Sequence, residues 1–72
     1  MSIEEIRSYR NAKPFVPFEV TLADGRILPV VRPERLAISP WGRLGVFVNS
    51  IPYYFRIEDV ASIGKLAASN PA

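Results

Sequence analysis

Residues Phe18 to Val30 read FEVTLADGRILPV, and their pattern sets the architecture expected of the whole chain. Phe18, Val20 and Leu22 alternate with Glu19, Thr21 and Ala23, the period of a strand with one face buried. Ala23-Asp24-Gly25 breaks the alternation, so a hairpin is expected. Hydrophobicity chooses its register, because a slip of one residue sends every side chain to the opposite face. A two-residue Asp24-Gly25 turn would pair Leu22 with Ile27 and leave Leu28 and Val30 outside. A three-residue turn with Gly25 in the left-handed conformation pairs Leu22 with Arg26, Val20 with Leu28 and Phe18 with Val30. That stacks the apolar residues on one face and is the register expected. Gly25 is needed because a side chain at positive φ clashes with the backbone, and Asp24 suits the turn by bonding nearby amides.

Downstream the same logic recurs. Val31-Arg32-Pro33-Glu34-Arg35 interrupts the pattern, since Pro33 cannot donate to a ladder, and the chain is expected to bend there. Leu36-Ala37-Ile38-Ser39 resumes a strand, and Pro40-Trp41-Gly42 supplies a second turn with glycine at its left-handed position. The pairs expected are Ser39 with Arg43, Ile38 with Leu44 and Leu36 with Val46. Phe47 lies on the face opposite Val46 and Val48, so both faces of this strand are partly apolar. Asn49-Ser50-Ile51-Pro52 is a third break, and Tyr53-Tyr54-Phe55-Arg56-Ile57 reads as a strand from its aromatic content. Glu58-Asp59-Val60 looks like a tight turn before a short final strand, Ala61 to Leu66. A C-terminal helix from Glu58 to Ala68 competes for these residues. The strand is preferred because it covers an edge that would otherwise invite aggregation. Residues 67–72 read as a flexible tail.

Upstream, Ser2-Ile3-Glu4-Glu5 fits a capping box, in which the Ser2 hydroxyl accepts from the amide three residues on and Glu5 reaches back to the Ser2 amide. A helix therefore starts here, and Pro14 stops it. At about ten residues such a helix is marginal alone, so Ile3 and Ile6 are expected to cover an end or face of the sheet. Pro14-Phe15-Val16-Pro17 has PxxP spacing, but its aromatic neighbours read better as anchors, with Phe15 and Phe18 inside. The sum is mainly β (α+β): a short N-terminal helix followed by a four- to five-stranded antiparallel small barrel over residues 1–66.

Size and composition bound the function. A chain of 72 residues buries only about 60% of its unfolded surface, so self-association is an expected source of stability. The sequence has no cysteine and no histidine, which removes disulfides, thiolate metal sites and the commonest general base. No cofactor or metal is expected. No apolar run approaches the ~20 residues of a membrane span, and MSIEEIRSYR carries acids where a secretory signal has bases, so a cytoplasmic protein is expected. The net charge of +2 is slight, but seven of the nine basic residues are Arg, the side chain suited to planar contact with carboxylates, phosphates and rings.

Two resemblances attach to these residues. The run PFVPFEVTLADGR, the step Arg32-Pro33-Glu34, and Leu36-Ala37-Ile38-Ser39-Pro40 with Gly42-Arg43 resemble a family of short uncharacterised bacterial proteins, over roughly residues 2 to 66. That resemblance implies a small one-domain protein and no catalytic residues. A short helix followed by a strand ending in Leu22-Ala23-Asp24-Gly25-Arg26 is also similar to the opening of the Sm-like barrels, which form rings and bind RNA. Pro29 stands where those proteins usually have a glycine, and no aspartate and asparagine pair stands in Leu36 to Leu44. Arg56-Ile57-Glu58-Asp59 replaces their closing Arg-Gly step. The resemblance thus implies an SH3- or Sm-like barrel; a shared fold does not carry function with it.

For an enzyme the residues offer little. Glu58 and Asp59 are adjacent carboxylates, but neighbours on a strand point to opposite faces, and on a turn they cap amides. Ser62 with Lys65 forms a Ser-Lys pair only on a helix. The candidate interaction surface is Arg26, Arg32, Arg35, Arg43 and Arg56 with Trp41, Tyr53 and Tyr54. Trp, Tyr and Arg are the residues enriched at interface anchors, and a non-enzymatic, self-associating or protein-binding module is the reading preferred. RNA or single-stranded DNA is the alternative, since arginine holds phosphates while rings stack bases. Glu19, Glu34, Glu58 and Asp59 interleave with these arginines and could pair with them. Trp41 is either exposed at its turn tip or folded back over the barrel mouth.

Overall fold

Gly25 lies at φ 95°, and around it the first hairpin forms in the three-residue register. The structure, a computed structural model, describes residues 1–66. Strand β1 (Phe18–Leu22) pairs with β2 (Ile27–Val30) so that Phe18 faces Val30 and Val20 faces Leu28. The Leu22 amide donates to the Arg26 carbonyl at 2.8 Å, and the Gly25 amide to the Leu22 carbonyl at 2.9 Å. All four paired apolar residues and Leu22 are buried, as one shared face requires.

The second hairpin also takes its expected register. β3 (Leu36–Ile38) and β4 (Arg43–Val48) pair Leu36 with Val46 and Ile38 with Leu44, and the Ser39 amide reaches the Arg43 carbonyl at 2.8 Å. Gly42 sits at φ 82°. Between the hairpins, Pro33–Arg35 is a single 3₁₀ turn with the proline at its start, which is the bend expected. The third break is shorter than expected. Asn49 (φ 52°) and Ser50 (φ 71°) alone make a two-residue turn with both residues left-handed, so β5 (Ile51–Arg56) begins with Ile51 and Pro52. Pro52 is tolerated because β5 is an edge strand and lacks a neighbour beyond it.

The segment for which strand and helix competed is a strand. After a 3₁₀ turn at Ile57–Asp59, β6 (Val60–Lys65) pairs with β1 along its other side. Six strands therefore form, not four or five, because Leu36–Ile38 finds a partner in β4 and Val60–Lys65 in β1. Their ladders make two three-stranded sheets, β2-β1-β6 and β3-β4-β5, and do not close into a ring. Sheet one and sheet two share a core of Phe18, Val20, Leu22, Leu28, Val30, Leu36, Leu44, Val46, Phe55 and Val60, with Ile6 from the helix.

Helix α1 (Ile3–Asn11) carries the full capping box, with Ser2 and Glu5 bonded in both directions at 3.2 Å and 3.0 Å. Ile6 is completely buried, which contributes about 1.5–3 kcal/mol and offsets the weakness of so short a helix. Tyr9 packs its ring on Phe18 at 5.2 Å, and Arg10 donates to the Leu36 carbonyl at 3.5 Å. Phe15 is only half-buried, lying against Phe18 at 5.9 Å; the connector is anchored by one ring inside and one at the margin. The expected tail, 67–72, lies outside the described residues.

Among the described residues no helix is long and apolar enough to cross a membrane.

Candidate functional site

The outer face of sheet two is set by the register of β4 against β5. Arg43 faces Arg56, Gly45 faces Tyr54 and Phe47 faces Pro52, while the residues between them, Leu44, Val46 and Phe55, are buried. Alternation along each strand thus sends Arg43, Tyr54 and Arg56 to one exposed side. Trp41 joins them from the tip of the second hairpin. It is 86% exposed and Tyr54 is 71% exposed. Together with Ser39, Arg43 and Arg56 the two rings line a groove of about 580 Å³.

Two features that the sequence reading passed over hold this groove in shape. Ser39 accepts the amides of Trp41 (3.3 Å) and Arg43 (3.0 Å) on its hydroxyl, which fixes the turn that presents Trp41. Its signal was present, since serine before a Pro-x-Gly turn is a common local cap. Gly45 is the other. A methyl group there would stand 3.1 Å from Cε1 of Tyr54, so the Tyr54 ring lies across the bare glycine and covers it. A glycine inside a strand marks such a close approach. The turn is pinned from below as well, because the Ile57 amide donates to the Gly42 carbonyl at 3.1 Å.

Of the eight residues proposed from sequence, four converge: Trp41, Arg43, Tyr54 and Arg56. The others lie outside this groove, although Arg26 shares a neighbouring pocket with Tyr54, Asp24 and Asp59. Tyr53 neighbours Tyr54 in the chain and so faces the other way, half-buried beside Ile27, Pro29 and Val48. Arg35 lies with Glu34, Phe47 and Ser50, and Arg32 is exposed at the entry to the 3₁₀ turn. Arg26 is bound to Asp24 across the first turn at 2.8 Å. The Arg26 amide, at 3.0 Å, and then its guanidinium hold the Asp24 carboxyl below the usual carboxylate range.

The interleaved acids do not neutralise the groove. Among the described residues the ion pair present is Arg26 with Asp24, and neither Arg43 nor Arg56 has a carboxylate in range. Asp59 places its carboxylate on the Arg56 amide at 3.0 Å, while its carbonyl takes the Ala23 amide at 2.8 Å and ties the first hairpin to the 3₁₀ turn after β5. Ser62 and Lys65 stand three positions apart on β6, hence on opposite faces. A second, more apolar cleft lies beneath α1, lined by Tyr9, Ala12, Val16, Pro17 and Phe18 with Ser8 and Lys65. No group of three His, Cys, Asp or Glu side chains among the described residues is placed to hold a metal ion.

Comparison with protein-family models, curated proteins and solved structures returns no match.

Proposed function

We propose that this protein is a non-enzymatic interaction module that works through the outer face of sheet two, binding a second copy or another protein. The observation that carries the reading is the exposure of Trp41 beside Tyr54, in one groove with two arginines. A large indole held in water by a fixed turn serves no packing purpose, and Trp, Tyr and Arg supply most interface anchors. The reading goes with the small size of the core, which association would reinforce. It also goes with a barrel of the SH3- or Sm-like kind, in which β1 and β4 are each bonded on both sides and wrap one core. The resemblance to short bacterial proteins fits such a one-domain module. Against an enzyme stand the missing histidine and cysteine and the employment of Asp59 in capping.

Single-stranded RNA or DNA is the second reading, favoured by one observation: Arg43 and Arg56 face each other without a carboxylate between them. A photocrosslinking residue placed at Tyr54, with the same residue at Ser62 on sheet one as control, separates the cases. A protease-sensitive adduct from position 54 alone supports the module, and an adduct of twice the chain mass identifies self-association. Nuclease-sensitive adducts transfer the face to the second reading. Adducts from position 62 alone, or from neither, remove sheet two as the working surface.

A further inference from the structure

Arg43 and Arg56 form a rung in which the strands are not hydrogen-bonded to each other. The Arg43 carbonyl turns to Ser39 on the other side, and the next bond toward β5 is the one from the Ile57 amide to the Gly42 carbonyl. In such a rung the side chains stand closest, and like charges placed there oppose folding. No carboxylate among the described residues pairs with either guanidinium, so both charges face the groove.

We infer that the Arg43–Arg56 rung is a carboxylate-binding site, and that the groove takes an acidic segment of a partner protein. The inference rests on the reading of this face as the working surface and names its ligand. Guanidinium groups bind carboxylates through two parallel hydrogen bonds, and two side by side bracket one acid from both flanks. An apolar residue next to that acid lies on Trp41 and on the Tyr54 ring, which Gly45 seats.

Three observations narrow the occupant. The segment lies on the face and does not extend the sheet, because the edge of β5 is blunted. The two-residue turn sends the amides of residues 52, 54 and 56 away from β4; Pro52 has no N–H, and the Arg56 amide is taken by Asp59. A second copy meeting this face with its own like face would gather four guanidinium groups, so the partner surface differs from it. Nucleic acid needs cations along several phosphates. Here the other arginines stand outside the groove, and Arg26 is already paired.

The test uses the chain's one tryptophan, Trp41, whose emission reports on the groove. The full chain is titrated with a blocked Glu-Leu repeat peptide, a blocked Lys-Leu repeat peptide, oligothymidylate and oligouridylate. A saturable shift with the Glu-Leu peptide alone is expected, at least tenfold weaker in Arg43→Gln and in Arg56→Gln, with Arg56→Lys between them and wild type. Arg43→Gln and Arg56→Gln are each expected to melt no lower than wild type, since each relieves a repulsion. No response to the Glu-Leu peptide, an equal response to the Lys-Leu peptide, or a response untouched by these substitutions overturns the inference. A saturable response to oligonucleotide alone overturns it too while leaving the face itself standing, whereas failure of crosslinking from position 54 removes the face.

Discussion

Gly25 and Gly42 close the tips of the two hairpins at nearly the same φ, 95° and 82°, yet the surfaces they create are opposites. At the first tip Asp24 takes both the amide and the guanidinium of Arg26, so the turn neutralises its own charge and nothing is left over for a ligand. The second tip has Ser39 for its cap, a neutral hydroxyl that fixes the backbone and leaves the flanking charges alone. Trp41 then projects into water, and Arg43 meets Arg56 in place of an acid. The residue that caps a turn therefore decides whether its neighbours remain available. An acid consumes the nearby cation; a hydroxyl does not.

The contrast can be tested by substitution, beginning where both tips should agree. Gly25→Val and Gly42→Val each place a branched side chain at positive φ and should cost about 1–3 kcal/mol in denaturant unfolding. The two costs should be similar, since the strain lies in the backbone: Gly25 has open space around the new Cβ, and at Gly42 the nearest atom, Ile57 Cγ2 at 3.6 Å, is in ordinary contact. Equal stability of Gly25→Val and wild type would mean the first turn has been misread.

Arg56→Glu should move the other way. It converts a like-charge rung into an opposite-charge one and should raise stability by roughly 0.2–1 kcal/mol; a lowered melting temperature would show that the two arginines do not repel. Asp24→Asn should lower the melting temperature by less, and only in part of the pH range. The Asp24 carboxyl is held below its ordinary value of 3.8, so its contribution is present above that pH and fades as pH falls through the depressed value. Wild type and Asp24→Asn should therefore converge in acid and separate toward neutrality. A gap independent of pH would assign the effect to something other than the ionised carboxylate. Smallest of all is Trp41→Ser, which should leave unfolding unchanged to within about 0.5 kcal/mol, because the indole touches so little of the protein. A larger loss would make Trp41 a structural residue and count against the proposal that it is an anchor.

Much of the fold could be read in advance because its decisive contacts are local. Ser2 and Glu5 cap a helix within one turn, and each hairpin register is settled by residues at most twelve positions apart, from Phe18 to Val30. The third break was read too long, since Pro52 suggests an end to pairing when in fact it sits on an edge where no amide is needed. For the site the reading divides at the strand period. Trp41, Arg43, Tyr54 and Arg56 were named together and stand together, whereas Tyr53 was named with Tyr54 although neighbours on a strand cannot share a face. Arg26 was named with that surface as well, but it pairs with Asp24 across the first turn.

By itself the sequence determined where the chain turns, which residues face inward and which strands fold back on their immediate neighbours, because steric limits on φ and the alternation of side chains act over a few residues. Only the tertiary structure decided that β6 returns to β1, that the ladders part into two sheets around Ile6, and that Tyr54 lies over Gly45 beside Trp41. Those outcomes depend on packing between segments as many as 47 positions apart, as Phe18 is from its partner Lys65, where no local preference acts and the burial of shared apolar faces selects the arrangement.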